Sequence, residues 1–396
     1  MIGFRIRVVC FVFFLLLFSP AWADEGSTPS DWERRLQALE ERVQSLEEEN
    51  TALKQELGHF QSDRKTSLAP PQAAEKPLPE PNAVQVGHGT LKVNALFQGW
   101  YVSDQDGNDR LRLRRSEIKF TGKVSESTPV DYTVMLDPAQ VTEDATRKNV
   151  LQDAFVTLGV IPRHTLDIGQ YKPGITEEGS RSPAKVDTIE RAYISRTFGD
   201  QRDIGVRLSG KWPYADYNVG VFNGSGINQA DANDQKDIAG RIVLRPLKES
   251  GMDLFRDFEI GASGYHRPAH GATFAKKRLG YEARYAYQNF SLKGEYMTGQ
   301  GTASASSTSE NRTLSNGWYG QAAYYFLPKL QGVLKIEGYD PNEEASEDRV
   351  TETTVGLNYF IDQYYAKLQL NYIHKDEEAE DDIANDQLIG AMQVVF

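Results

Sequence analysis

At 396 residues the chain has room for two or three ordinary domains, yet only 39% of it is hydrophobic, with 19 Tyr, 18 Phe and 33 Gly. That is thin for an aliphatic core and suits a fold that needs apolar side chains on only one face of each strand. The net charge of −12 argues against nucleic acid as a partner.

Residues 1–23 read as a secretory signal peptide: Arg5 and Arg7, an apolar run over 8–18, then Ala21-Trp22-Ala23 as a small-x-small cleavage site. The run is too short to span a membrane. The single cysteine, Cys10, lies in mid-run, so no lipoprotein attachment is expected there. Cleavage removes two arginines, taking the charge from −12 to −14, and leaves no thiol for a disulfide, a thiolate metal site or a nucleophile.

Residues 24–60 are expected to form a short periplasmic coiled-coil helix. Trp32, Leu36, Leu39, Val43, Leu46, Asn50, Leu53, Leu57 and Phe60 alternate spacings of four and three, the seam of a coil. With Leu36, Val43, Asn50 and Leu57 at position a, the flanking pairs Arg35/Glu40, Arg42/Glu47 and Glu49/Lys54 all have opposite sign in a parallel homo-oligomer, whose register Asn50 would set. Residues 61–88, with Pro70, Pro71, Pro77, Pro79 and Pro81, read as a semi-extended linker.

Residues 89–396 read as an all-β transmembrane barrel of about 16 antiparallel strands. They begin near Thr90, Leu111, Asp131, Leu151, Thr165, Ile204, Tyr217, Ile238, Phe258, Leu279, Phe290, Gly317, Leu330, Val350, Tyr364 and Leu388. Apolar residues alternate clearly in Leu91/Val93/Ala95/Phe97 and Ala366/Leu368/Leu370/Tyr372, as a strand between oil and water requires. The parity shifts once, around Arg114-Arg115, which suggests a bulge. The final row, Leu388, Gly390, Met392, Val394 and Phe396, ends on an aromatic. Connections alternate short and long, as inner turns and outer loops of a barrel do.

The longest connection, 172–202, is the third outer loop, and Glu177, Glu178, Arg181, Lys185, Asp187, Glu190 and Arg191 give it the mixed charge of a segment folded into a wet lumen. A pore selects by the width and charge of its narrowest ring. Other clusters carry less. Asp104-Gln-Asp106-Gly107-Asn108-Asp109 lacks the bidentate Glu of a calcium loop, Arg115 standing there. His266 and His270 sit beside Pro268 and Gly271, which suits a loop better than a metal site. The acidic run 376–382 reads as a solvated outer tip, or as a bridge through divalent cations to lipopolysaccharide. There is no nucleophile motif and no phosphate-binding loop, so no enzyme, cofactor or metal is expected.

The stretch Arg112-Leu-Arg-Arg-Ser-Glu-Ile-Lys-Phe-Thr-Gly122, with Asp153-Ala-Phe-Val156, Gly169-Gln-Tyr-Lys-Pro-Gly174, Ile189-Glu190-Arg191 and Arg202-Asp-Ile-Gly-Val-Arg-Leu-Ser-Gly210, resembles the family of phosphate-selective porins O and P. The likeness runs over 89–396 and is densest over 110–212. It implies a sixteen-stranded, homotrimeric outer-membrane channel with an inward-folded third loop, passing small anions, and a terminal strand ending at Phe396 that the barrel-insertion machinery reads. It also implies that Lys185 stands near the family's third-loop lysine, and that Arg267, Lys276, Lys277 and Arg278 stand near its arginine-rich loop.

The resulting expectation is an outer-membrane porin giving passive diffusion of small anions, phosphate or polyphosphate among them. Arg181, Lys185, Arg191, Arg267, Lys276, Lys277 and Arg278 would attract the solute, and Glu177, Glu178 and Glu190 would shape the constriction. The alternative is a structural outer-membrane anchor whose coiled coil tethers the envelope through peptidoglycan.

Overall fold

The computed structural model describes residues 83–143, 149–199, 201–231, 233–268, 276–300, 314–345, 348–378 and 385–396. The signal peptide, the coiled coil with Asn50, the linker up to residue 82 and the loop carrying His270 lie outside the described residues.

The chain forms β1 (Val84–Val86), β2 (Gly89–Asp104), β3 (Arg110–Lys123), β4 (Val130–Leu136), β5 (Leu151–Leu158), β6 (His164–Tyr171), β7 (Asp203–Lys211), β8 (Ala215–Phe222) and β9 (Asp237–Leu244). It continues with β10 (Glu259–Arg267), β11 (Lys276–Tyr287), β12 (Phe290–Gln300), β13 (Leu314–Leu327), β14 (Leu330–Asp340), β15 (Val350–Asp362), β16 (Ala366–Glu377) and β17 (Gln387–Val395). Each strand from β2 to β17 pairs antiparallel with its sequence neighbours, and β17 returns to β2 from Gln387↔Asp104 to Val395↔Leu96. Phe396 completes the seam: Ala95 N donates to its carbonyl at 2.6 Å and its N donates to Ala95 O at 3.0 Å. The ring therefore has sixteen strands and no open edge, which is how a sheet satisfies its backbone groups in oil.

Every sequence-predicted start lies within three residues of an observed one, the widest differences being Lys276 for Leu279 and Leu314 for Gly317. At Lys276 the reason is physical: apolar alternation does not mark a charged residue where the strand leaves the oil. The short β1 was not among the sixteen. Its two valines are too few to set a period, and it folds back on β2 through Gly87, held at φ 59°.

The pleat sorts the side chains. On β2, Val93, Phe97 and Tyr101 are exposed on the outer face, while Gln98, Trp100 and Val102 are buried on the inner one. On β14, Leu334 and Ile336 face out and Lys335 and Glu337 face in. Among the described residues no helix is long and apolar enough to cross a membrane. Between β2 and β3 the register slips from Gln98↔Arg115 to Gly99↔Leu113, so Arg114 is the extra residue of a bulge.

Connections at one end are short. Gln288 turns β11 into β12 with φ 50° and Gln363 turns β15 into β16 with φ 45°, the left-handed backbone that tight hairpins need. The exception is 245–258, which carries a one-turn helix at Asp253–Phe255. The opposite end carries the long loops, among them 137–150 with helix α1 (Ala139–Glu143).

Gly122 marks a close approach of β3 to β2: a Cβ there would lie 1.8 Å from the carbonyl oxygen of Thr90. Gly122→Val is expected to destabilise the barrel by about 1–3 kcal/mol, read as a lower temperature for the shift in gel migration that accompanies barrel unfolding.

Candidate functional site

The connection 172–202 folds into the barrel and stays there because it is anchored by apolar packing as well as by charge. Ile175, Ala192, Ile194 and Phe198 are buried with Tyr171, Phe222, Met297, Tyr319 and Tyr339 of the wall. Burying side chains of this size contributes about 1.5–3 kcal/mol each, so this half of the lumen is a packed core. The two legs of the loop meet where Gly179 and Gly199 press on Thr176: a Cβ on either glycine would lie 2.2 Å or 1.9 Å from Thr176 Oγ1. Ser180 Oγ donates to Thr176 O at 2.6 Å, closing the first turn.

Polar contacts then carry the loop across the barrel. Lys293 Nζ donates to Glu178 Oε1 at 2.6 Å, and Ala192 N donates to Glu178 Oε2 at 2.6 Å. Glu177 pairs with Arg181 and lies 3.3 Å from Arg284 Nε, and its backbone N donates to Glu295 at 3.1 Å. Burial pushes the Glu178 carboxyl up, but the ammonium groups of Lys293 and Lys335 and the hydrogen bonds outweigh it and hold the carboxyl below its ordinary range. Arg191 ties the legs together, Nε donating to Glu178 O at 2.9 Å and Nη2 to Arg181 O at 2.8 Å. A one-turn helix at Pro183–Lys185, capped by Ser182, leads to the far wall. There Lys367 donates to Val186 O at 2.9 Å, Gln321 to Asp187 at 2.8 Å, and Ile189 N to Asn371 Oδ1 at 2.7 Å.

Glu190 closes the circuit back to β3. Arg114 Nη2 lies 2.8 Å from Glu190 Oε2, and Arg115 Nη2 lies 3.1 Å from Oε1. The bulge makes this possible, since only a parity break turns two consecutive arginines to the same side of a strand. Burial alone would raise the Glu190 carboxyl, but Arg115, Arg114 and Arg196 hold it well below its ordinary value of 4.5.

The loop leaves open a cavity of about 960 Å³ against the β3–β9 wall. Its lining includes ten Lys or Arg and four Asp or Glu. Arg114, Arg115 and Lys119 come from β3, and Arg202, Arg207 and Arg241 face them from the β7–β9 side. Several are positioned by carboxylates: Arg202 Nε lies 2.7 Å from Asp153, Arg207 Nη2 lies 2.7 Å from Asp167, and Arg241 is bidentate on Glu282 at 2.6 and 2.7 Å. A second cavity of about 290 Å³ lies toward β14–β17, lined by Arg110, Arg112 and Arg114 on one side and Glu337 and Glu352 on the other. Arg112 and Arg114 stand 5.5 and 5.4 Å from the Trp100 ring.

Of the site residues read from sequence, Arg181 and Arg191 line the larger cavity, and Lys185 is exposed on the loop beside Pro183, which also lines it. Glu177, Glu178 and Glu190 all hold the loop. The group at β10–β11 stands apart from that cavity. Arg267 is bound to Asp237 and Gly224 O, and Arg278 Nη1 donates to Phe198 O at 2.6 Å, fastening the loop's last turn. Lys276 shares the lumenal face of β11 with Arg278, whereas Lys277 alternates to the outer face with Leu279 and Tyr281. That is a correction to treating the four as one lumenal group: consecutive strand residues cannot share a face.

The arginines of β3 were missed as site residues although their signal was present. Arg110, Arg112 and Arg114 recur at every second residue, opposite Leu111 and Leu113, and the parity shift at Arg115 keeps the next cation on the same face. Arg202, Arg207 and Arg241 had no comparable signal, because single basic residues become neighbours only through closure of the ring.

Since its carboxyl is depressed in the folded protein, the Glu190 clamp is fully present above pH 4.5 and is lost only as the pH falls through the lower value. The loop is therefore expected to stay anchored at Glu190 from neutral pH down to 4.5, read as unchanged resistance of 172–202 to external protease over that range. Glu190→Gln, which removes the carboxylate that Arg114 and Arg115 share at a cost on the order of 3 kcal/mol, is expected to loosen the loop and make 172–202 more accessible to external protease at neutral pH.

The family model described as phosphate-selective porin O and P matches residues 90–272 and 266–396. No curated protein matches. Among solved structures, the chain is similar to the outer-membrane channel DcaP of Acinetobacter baumannii, with a TM-score of 0.58 and 11% identity over 78% of this chain and 97% of that one. It is similar to the anion-selective porin from Comamonas acidovorans, with a TM-score of 0.56 and 10% identity over 78% and 100%. The trimer form of in-vitro folded OmpT of Vibrio cholerae gives 0.56 and 10% over 78% and 100%.

Proposed function

The chain belongs to the phosphate-selective porin O and P family, and we propose that it is an outer-membrane porin passing small anions, phosphate among them, by diffusion past its inward-folded third loop. One observation carries this reading. A chain whose net charge is −12 lines the cavity of about 960 Å³ beside its third loop with ten basic and four acidic residues. Fixed charge on low-dielectric walls concentrates counter-ions, so the local lining outweighs the charge of the whole molecule.

The route begins on Arg110 and Arg112, passes Arg114 and Arg115 where Glu190 narrows it, and continues to Lys119, a ladder along β3 of roughly 30 Å at about 3.3 Å per residue. Arg181, Lys185 and Arg191 supply charge from the loop, and Arg207 and Arg241 from the facing wall. Guanidinium groups suit phosphate because they give charge and several parallel hydrogen bonds without proton transfer. Their carboxylate partners keep them in place while leaving an excess of positive charge, so an anion is attracted without being trapped. Arg267, Lys276 and Arg278 would act earlier, at the outer mouth. Glu177, Glu178 and Glu190 set the gap by fixing the loop. The anion-selective neighbour supports the direction of selectivity, and the trimeric neighbour supports assembly as a homotrimer.

In this reading residues 1–23 are removed on export, residues 24–60 form a periplasmic coil in register through Asn50, and the linker lets that coil reach peptidoglycan. Phe396 presents the closing strand to the insertion machinery.

Lys119→Glu and Lys185→Glu are each expected to lower the anion-to-cation permeability ratio by roughly fivefold, equivalent to about 1 kcal/mol at screened distances. Reversal potentials in a salt gradient measure this, and no change in either variant would remove the cationic route. Deleting residues 24–82 is expected to leave single-channel conductance unchanged, since the described barrel closes without them.

A further inference from the structure

Every described strand of the barrel keeps its lysines and arginines on the lumenal row, with one exception: Lys277 points outward. It does so at the end of β11 next to the long loops, on the side of the wall that meets the outer leaflet. A charge on the lipid face is tolerated there only near the interface.

What lies beside it is a gap in the lipid-facing wall. Across β8 to β11 the register sets Val219, Gly240, Gly264 and Leu279 in one row, so the two middle positions have no side chain. Along β10 the next outward residue is Ala262, which continues the gap toward the membrane middle between Ile242 and Tyr281. The result is an outward-facing groove of about 470 Å³, lined by Val219, Ile238, Gly240, Gly264, His266 and Lys277 and open to the bilayer. The row immediately outside it pairs Ile238 with His266 and His266 with Lys277. A small-residue trough pointing into the leaflet is thus topped by a cation and an imidazole.

We propose that this groove is a binding site for an anionic phosphoglycolipid of the outer leaflet, with an acyl chain lying over Gly240, Gly264 and Ala262 and a headgroup phosphate on Lys277 and His266. Shape and charge point to the same ligand. An acyl chain fills a trough one side chain deep, and a phosphate at the level of the interface meets the only outward strand cation among the described residues. A second copy of the chain applying the same wall fits less well, because β8–β11 carry no carboxylate on their outward row and Lys277 would be buried without a counter-charge.

The test uses full-length protein in detergent, offered the lipid A portion of lipopolysaccharide or phosphatidylethanolamine, with retained lipid counted by native mass spectrometry. Wild type is expected to retain lipid A over phosphatidylethanolamine. Lys277→Gln is expected to reduce retention by about fivefold, the worth of one interfacial charge, with conductance unchanged. Gly264→Leu, whose added Cβ meets nothing closer than 3.8 Å, is expected to reduce it further by filling the trough. Equal retention by wild type and Lys277→Gln would overturn the proposal. So would efficient disulfide cross-linking of Ala262→Cys between copies in native membranes, which would make the groove a protein interface.

Discussion

A ring of backbone hydrogen bonds with nothing left unpaired at its edges is the constraint from which the rest follows. Once β17 pairs with β2, every strand must present alternate residues to lipid and to the lumen, because the pleat allows no third direction. Apart from residues near the strand ends such as Lys277, the charged residues of β2–β17 are thereby gathered inside a wall whose outer surface is mainly Val, Leu, Ile and aromatic. The low hydrophobic content of the chain is a consequence of the same geometry. A barrel covers one face only and fills its interior with polar groups and water.

That interior is not uniform. On the β11–β17 side the third loop is embedded in Met297, Tyr319 and Tyr339 and in a network of buried carboxylates and ammonium groups. On the β3–β9 side it leaves room, and there the excess of positive charge collects. The two halves depend on each other through Glu190, which takes two arginines from the open side to hold the loop on the closed one. Under the proposed function, the contact that sets the loop's position would also hold two of the cavity's cations, so a substitution there would alter width and selectivity together.

Strand number and order, the inner turns, the bulge at Arg114 and the identity of the inward loop were all legible, because each rests on a local period or a local break in one. Arg181 and Arg191, singled out from loop length and composition, line the cavity beside the loop. The β3 row was visible but passed over: alternating Arg and Leu reads first as strand amphipathicity, and only with the ring closed does its polar face line the interior cavities. The grouping of Arg267 through Arg278 was read too coarsely, since a run of basic residues that continues into a strand is split between two faces.

Taken alone, the amino-acid order determined which residues alternate, where the chain turns and which connection is long enough to enter the lumen, since these depend on neighbours a few positions apart. The tertiary structure decided which charges meet. Arg115 finds Glu190, Lys293 finds Glu178 and Lys277 is left facing lipid, because closing the barrel converts separations of dozens of residues into contacts of a few ångströms that no local pattern records.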